Sequence, residues 1–350
     1  MKSTRLERRA EKLRLATGSS WADALKRVRT LVPGAPLIPE AHPAQALLES
    51  YFLAGLAWPN IETRSSWGIR STEAHTNSLV LTFENDVTQH VGGETMAKEL
   101  VRTLLPCSDE HSWVRGIPGA RFTVDVGGIH IRRIDLEGSL RILGIPARDW
   151  NSAMNLQRHE DESDGKRFCH ELSPHRWHPS EMLFRKPDTS TVLGKHHYQK
   201  QPSAWLASGL LRRAPLFRTI GVPLGTTAWT NLTKDGGTEW IIAYINEPVA
   251  EAACYHQGFA NLLTDPECGL PIVGTDLDCY CGSPAAFYCG CRLYARSSIG
   301  QPGALQVRFF HRYGDRAQLY KDNLDDYEAR RQTFQRIPGH LANRRAGVGR

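Results

Sequence analysis

Four cysteines in the C-terminal half of the chain stand at mirrored spacing. Cys279 and Cys281 are separated by one residue, as are Cys289 and Cys291, and seven residues lie between the two pairs. In a hairpin that turns around Ala285, each cysteine of one strand faces a cysteine of the other. Because side chains alternate along a strand, all four thiols then lie on one face. The spacing predicts a structural zinc site of these four cysteines.

The four-cysteine site places demands on the hairpin. A tetrathiolate zinc requires sulfur atoms less than about 4 Å apart, so the strands must bend at Tyr280 and Gly290. One residue between paired ligands is also fewer than the usual two to four. Reduced thiols packed in a core are an alternative, since free cysteine is often buried, and redox or iron–sulfur chemistry is another. Cys254, His256 and Cys268 are further candidate ligands, of this ion or of a second one.

A second group of metal-binding residue types lies in the segment 151–203. Imidazoles and carboxylates on a loop are ligands of the kind that a catalytic metal uses when it keeps one position open for water. No His-Glu-x-x-His or nucleophile motif accompanies them, so a polar surface loop of titrating histidines is the preferred explanation of the pattern. The residues are His159, His170, His175, His178, His196, His197, Cys169, Glu160, Asp161 and Glu162.

The hairpin expected around Gly127 and Gly128 contains a third combination. With those glycines as the turn, Asp125 lies opposite His130. An aspartate that orients a histidine is half of a general-base arrangement. No third member is visible, and a polar pair on the solvent side of the hairpin is the alternative.

The charge of the chain is unevenly distributed. Residues 1–30 hold nine Lys or Arg and three acids, and residues 329–350 hold six Arg and no acid. Each end therefore carries +6, and the body between them carries −6 in a chain of net charge +6. Basic ends on an acidic body favour binding to a polyanion through the ends.

One predicted strand, residues 307–313, adds arginines beside aromatic rings. Arg308, Phe310 and Arg312 share one face of it, and such a face can hold phosphates while stacking a base. Arginine stems lying over apolar neighbours give the same pattern without any ligand. The candidate nucleic-acid-binding residues are Arg5, Arg8, Arg9, Arg14, Arg308, Arg312, Arg330, Arg331, Arg344 and Arg345.

Hydrophobic periodicity and turn residues predict an α+β fold. Two domains of mixed helix and antiparallel sheet are expected, the second with the cysteine-rich hairpin, and no internal repeat is visible. The expected helices are 3–16, 20–31, 44–56, 93–105, 204–212 and 316–335. The expected strands are 78–83, 121–126, 129–134, 226–232, 238–246 and 304–313. The expected divisions are a basic helical hairpin 1–31, an α+β domain 32–150, a histidine-rich linker or lid 151–203, a zinc-binding α+β domain 204–335 and a basic tail 336–350.

Length and composition limit the class of protein. At 350 residues the chain exceeds the size at which one core stops growing, and 41% hydrophobic residues rule out a disordered chain. Neither a signal peptide nor a membrane span is expected, so a cytoplasmic protein with reduced thiols follows. The preferred hypothesis is a non-enzymatic, nucleic-acid-associated protein with structural zinc. The alternative is a metal-dependent hydrolase, of phosphodiester type, with the histidine-rich segment at its site.

Overall fold

The structure is a computed structural model with helices, mixed sheets and an antiparallel sheet, which confirms the α+β class. The described part of the chain belongs to one compact unit, Met1–His311. The described residues are 4–56, 63, 65–84, 95–109, 113–184, 203–221, 223–232, 238–246, 252–279, 291–297 and 303–311.

The elements of the described residues follow the chain in this order. The helices are α1 (Arg5–Thr17), α2 (Trp21–Thr30), α3 (Pro43–Gly55), α4 (Met96–Leu104), α5 (Ala147–Ser163), α6 (Cys169–Leu172), α7 (Ala204–Arg212) and α8 (Ala252–Leu263). The strands are β1 (Ile69–His75), β2 (Ser78–Phe83), β3 (Cys107–Ser108), β4 (Trp113–Arg115), β5 (Ala120–Asp125), β6 (Gly128–Arg133), β7 (Ser139–Leu143), β8 (Arg167–Phe168), β9 (Pro223–Leu232), β10 (Thr238–Asn246), β11 (Ile272–Asp278), β12 (Arg292–Ser297) and β13 (Ala304–His311).

The basic N-terminal helices form where the sequence predicts them. α1 begins with a capping box between Thr4 and Glu7 and ends at Gly18, which takes a left-handed conformation at φ 68°. The hydroxyl of Ser20 accepts a hydrogen bond from the backbone N–H of Asp23 and caps α2. Both helices pack against the rest of the protein. α1 contacts the 3-10 segment Ala214–Thr219, and α2 packs on α1. Their buried residues include Ala10, Leu13, Ala16, Ala24 and Val28.

The two five-stranded sheets have the same topology. The first has the order β1-β2-β7-β6-β5 and the second β9-β10-β13-β12-β11. In each, one central pair is parallel, β2 with β7 and β10 with β13, and the other neighbours are antiparallel. A helix follows the first hairpin in both, α4 in one and α8 in the other. The repeat that the sequence does not show is therefore present in the order and direction of the strands.

The β5–β6 hairpin differs in register from the prediction. Its ladder pairs Thr123 with His130 and Asp125 with Gly128, so Val126 and Gly127 form the turn. The turn moves because the Asp125 carboxylate accepts a hydrogen bond from the Gly127 N–H at 2.6 Å. The expected direct pairing of Asp125 and His130 is wrong, although they meet diagonally with Oδ1 and Nε2 3.3 Å apart. Both are partly exposed, as in a solvent-side polar pair.

The histidine-rich segment has more regular structure than expected. α5 crosses the predicted boundary at residue 150, so residues 151–163 are helical rather than an irregular connection. Trp150, Ala153, Met154 and Gln157 give this helix a buried stripe at helical spacing. β8 and α6 follow α5 in the chain, and β8 pairs with the earlier strand β3 in the short sheet β4-β3-β8.

Part of the predicted structure falls outside the described residues. This applies to the helix at 316–335, the basic tail and the middle of the cysteine hairpin. No helix among the described residues is long and apolar enough to cross a membrane.

Candidate metal centre

α8 places His256 against the second sheet. The helix is largely apolar, and its residues Phe259, Ala260 and Leu263 are buried. His256 is fully buried on the same helix. Its ring stacks on Phe309 of β13, with ring centroids 4.2 Å apart and an interplanar angle of 17°. This stacking fixes the plane of the imidazole.

The adjoining ends of β11 and β12 supply two cysteines. The β11–β12 ladder ends with Asp278 opposite Arg292. Cys279 comes directly after β11 and Cys291 directly before β12, so they are the next pair beyond that end of the ladder. This register is the one that the mirrored cysteine spacing requires. The carbonyl of Cys291 accepts a hydrogen bond from the Phe309 N–H at 2.9 Å, which ties the strand end to β13. Cys291 is buried and Cys279 is partly exposed.

The three side chains converge on one point. The Sγ atoms of Cys279 and Cys291 are 3.4 Å apart, and Cys279 Sγ is 3.5 Å from His256 Nδ1. All three potential ligand atoms lie within 4.8 Å of one another. Bond lengths of a tetrahedral zinc place sulfur and nitrogen ligands about 3.5 to 3.8 Å apart. The cluster of His256, Cys279 and Cys291 could therefore hold a metal ion.

The other sequence-predicted ligands have different positions. Cys281, Cys289 and the side chain of Cys254 lie outside the described residues. Cys268 is separate from the cluster: it is buried, and its Sγ contacts Asp265 Oδ1 at 3.5 Å. Burial raises the pKa of the Cys268 thiol to about 12, so it remains protonated.

The described histidines of the predicted lid do not converge. His170 lies between the rings of Phe122 and Phe168, and burial lowers its pKa to about 4. His175 is exposed, and His178 Nδ1 is 2.8 Å from Ser180 Oγ. Within the described ranges, the cluster around His256 is the one group of three or more histidine, cysteine or acidic ligands.

The predicted nucleic-acid contacts on α1 have two different environments. Arg9 Nε lies 2.8 Å from Glu267 Oε1, and Arg14 Nη2 lies 2.6 Å from Glu11 Oε1. Arg5 and Arg8 are exposed. The acidic body thus pairs with the basic end through Glu267, whereas Glu11 belongs to the basic end itself, and the charge count alone reveals neither contact.

On the second sheet, Arg308 lies beside an aromatic ring from another strand. Its guanidinium carbon is 5.3 Å from the centroid of the Trp229 ring, and the ladder places it directly opposite Arg292. Like charges directly opposite each other on a sheet are unfavourable. On the other neighbouring strand, β11, Asp278 lies opposite Arg292 and supplies the opposite charge. The remaining predicted contacts, Arg312, Arg330, Arg331, Arg344 and Arg345, lie outside the described residues.

Comparison with protein-family models, curated proteins and solved structures finds no match to this chain. The candidate metal centre is therefore argued from its own geometry.

Proposed function

We propose that this protein binds one structural zinc ion through His256, Cys279, Cys291 and a fourth thiolate from Cys281 or Cys289. The observation that supports the proposal is the convergence of one imidazole and two thiols from α8, β11 and β12 within 4.8 Å. Thiolate and imidazole ligands together are typical of structural zinc sites, whereas magnesium and calcium take oxygen ligands. The proposal replaces one of the four predicted cysteines with His256.

The fourth ligand follows from the alternation of side chains. Cys281 and Cys289 each stand two residues along the sequence from a described cysteine, the spacing at which residues of a strand share one face, so we propose one of them as the fourth ligand. Four protein ligands leave no open position for water, which is the arrangement of a structural site rather than a catalytic one. The ion then joins α8 to the sheet edge, and its binding free energy adds to the free energy of unfolding.

The metal content of purified protein tests this proposal. Elemental analysis should find about one zinc per chain in the wild type and in Cys268→Ser, which alters a buried cysteine outside the cluster. Cys279→Ser and His256→Ala should retain far less metal and should melt at lower temperature. A stable wild type without metal would leave reduced core thiols as the explanation.

We also propose that the protein associates with nucleic acid without acting as an enzyme. Three observations support this part of the proposal: Arg5 and Arg8 are exposed, Arg308 lies over the Trp229 ring, and Arg292 is opposite Arg308 in the ladder. Guanidinium groups neutralise phosphates, and an aromatic ring offers a stacking surface for a base. The hydrolase alternative has less support, because the cluster of potential metal ligands found among the described residues lies at His256 and not in residues 151–184.

Charge-neutral variants test this association better than truncation, because α1 and α2 contribute to the core. Arg5→Gln with Arg8→Gln, and Arg308→Gln alone, should weaken binding to single-stranded and duplex DNA. Arg132→Gln, at an exposed arginine outside the predicted contacts, is the matched control and should bind nearly as the wild type does. Affinity should fall steeply from about 50 to 200 mM salt. An absence of wild-type binding at the lower salt concentration would refute the association.

A further inference from the structure

We propose that Cys279 and Cys291 form a peroxide-sensitive thiol pair that closes a cross-strand disulfide and thereby releases the metal. This inference rests on the proposed zinc centre. The oxidant is a peroxide, the class of reagent that oxidises accessible thiolates in a reducing compartment.

The position of the two cysteines permits the bond. Directly opposed residues of an antiparallel ladder have Cα atoms about 4.5 or 5.5 Å apart, and both values lie within the disulfide range of about 4.4 to 6.8 Å. The Sγ atoms are 3.4 Å apart. They need to approach by only about 1.4 Å to reach the bond length of a disulfide. The strands can therefore keep their register when the bond forms.

The two thiols also differ in access, which assigns their roles. Cys279 is partly exposed and can meet a peroxide, while Cys291 is buried directly beside it. The other described cysteines are buried elsewhere. Burial raises the pKa of Cys107 to about 12, of Cys169 to about 11 and of Cys268 to about 12, so they are poor nucleophiles at neutral pH.

The reaction balances with one peroxide per disulfide. The Cys279 thiolate attacks a peroxide oxygen, the O–O bond breaks, and the hydroxide that leaves is protonated by buffer acid to become water. The resulting sulfenic acid is attacked by the Cys291 thiolate, which forms the S–S bond and expels a second hydroxide, also protonated. Two electrons pass from the sulfurs to the peroxide. Neither sulfur of the disulfide is then an anionic ligand, so the zinc ion loses two of its four ligands.

Hydrogen peroxide treatment of the full-length, zinc-loaded protein tests the inference. Peptide mass mapping without reductant should find a Cys279–Cys291 cross-link, and a chromogenic chelator should report about one zinc released per cross-link. Dithiothreitol with added zinc should reverse both changes. Cys268→Ser is the matched control and should release zinc at the wild-type rate.

The possible results decide between the two proposals. Zinc that stays bound under peroxide, or that leaves with only a Cys281–Cys289 cross-link or only oxidised single thiols, overturns the thiol-pair inference and leaves the zinc centre intact. Protein purified without zinc overturns the zinc centre instead, and with it the metal-release half of the inference.

Discussion

Arg212 and Glu49 form a fully buried bidentate ion pair between α7 and α3. Arg212 Nη2 lies 2.7 Å from Glu49 Oε1, and Arg212 Nε lies 2.8 Å from Oε2, with both side chains 0% exposed. The guanidinium also donates to the carbonyls of Pro39 and His75, and Ser208 Oγ donates to the carboxylate. In the chain, α3 leads into the first sheet at β1 and α7 leads into the second sheet at β9. The ion pair therefore joins the helices that precede the two sheets.

Loss of one partner from this pair should be severely destabilising. Arg212→Met leaves the Glu49 carboxylate buried without its counter-charge, which costs about 3 to 5 kcal/mol of the free energy of unfolding. The double variant Arg212→Met with Glu49→Leu should lose less, because no buried charge remains. Urea unfolding measures both. Arg132→Met, at an exposed arginine, should change stability by less than about 0.5 kcal/mol. If Arg212→Met were as stable as Arg132→Met, the claim that the buried Glu49 carboxylate needs its counter-charge would be wrong.

His170 should make stability depend on pH. Burial lowers its pKa in the folded protein to about 4 from an ordinary value of 6.5. The unfolded chain therefore takes up a proton below about pH 6.5 that the folded protein does not take up until about pH 4, and folding stability falls as the pH falls through this window. Between pH 7 and 4.5 the loss from this residue is about 2 kcal/mol.

A comparison with His170→Phe isolates that contribution, since both proteins share every other titrating group. The free energy of unfolding of the wild type should fall more steeply between pH 7 and 4.5 than that of the variant. Parallel pH profiles would show that His170 is equally protonated in the folded and unfolded chains.

Gly18 and Gly34 form a matched pair for testing the packing of the N-terminal helices. Both have positive φ, 68° and 85°, which costs an alanine about 1 to 2 kcal/mol. A Cβ at Gly18 would lie 2.2 Å from the Arg70 carbonyl oxygen, whereas nothing lies within 4 Å of one at Gly34. Gly18→Ala should therefore lower the melting temperature clearly more than Gly34→Ala. Equal losses would mean that α1 does not pack closely on β1.

Local features of the fold were predictable from the sequence, and long-range features were not. The helix stop at Gly18, the Ser20 cap and the strands at 78–83 and 238–246 depend on turn residues and side-chain periodicity within a few residues. The shared sheet topology depends on which strands pair across the chain, and the two halves reach it with different residues. The helical stripe of α5 gives only a weak sequence signal, because polar residues outnumber apolar ones along it.

The candidate site shows the same division. The mirrored spacing agrees with the end of the β11–β12 ladder, where Asp278 faces Arg292 and the Sγ atoms of Cys279 and Cys291 lie 3.4 Å apart. Placing His256 beside these cysteines and Cys268 away from them depends on the packing of α8 on β13, which no local pattern encodes. The available signal was a histidine in a predominantly apolar segment near the cysteines. The same limit applies to Arg9, whose pairing with Glu267 joins residues distant in sequence.

X-ray absorption at the zinc edge of the purified protein tests the central claim most directly. His256 as a ligand predicts one nitrogen near 2.0 to 2.1 Å and three sulfurs near 2.3 Å, with the nitrogen signal lost in His256→Ala. A shell of four sulfurs would assign the site to the cysteine hairpin alone. A shell of oxygen ligands, or protein without zinc, would contradict the metal centre itself.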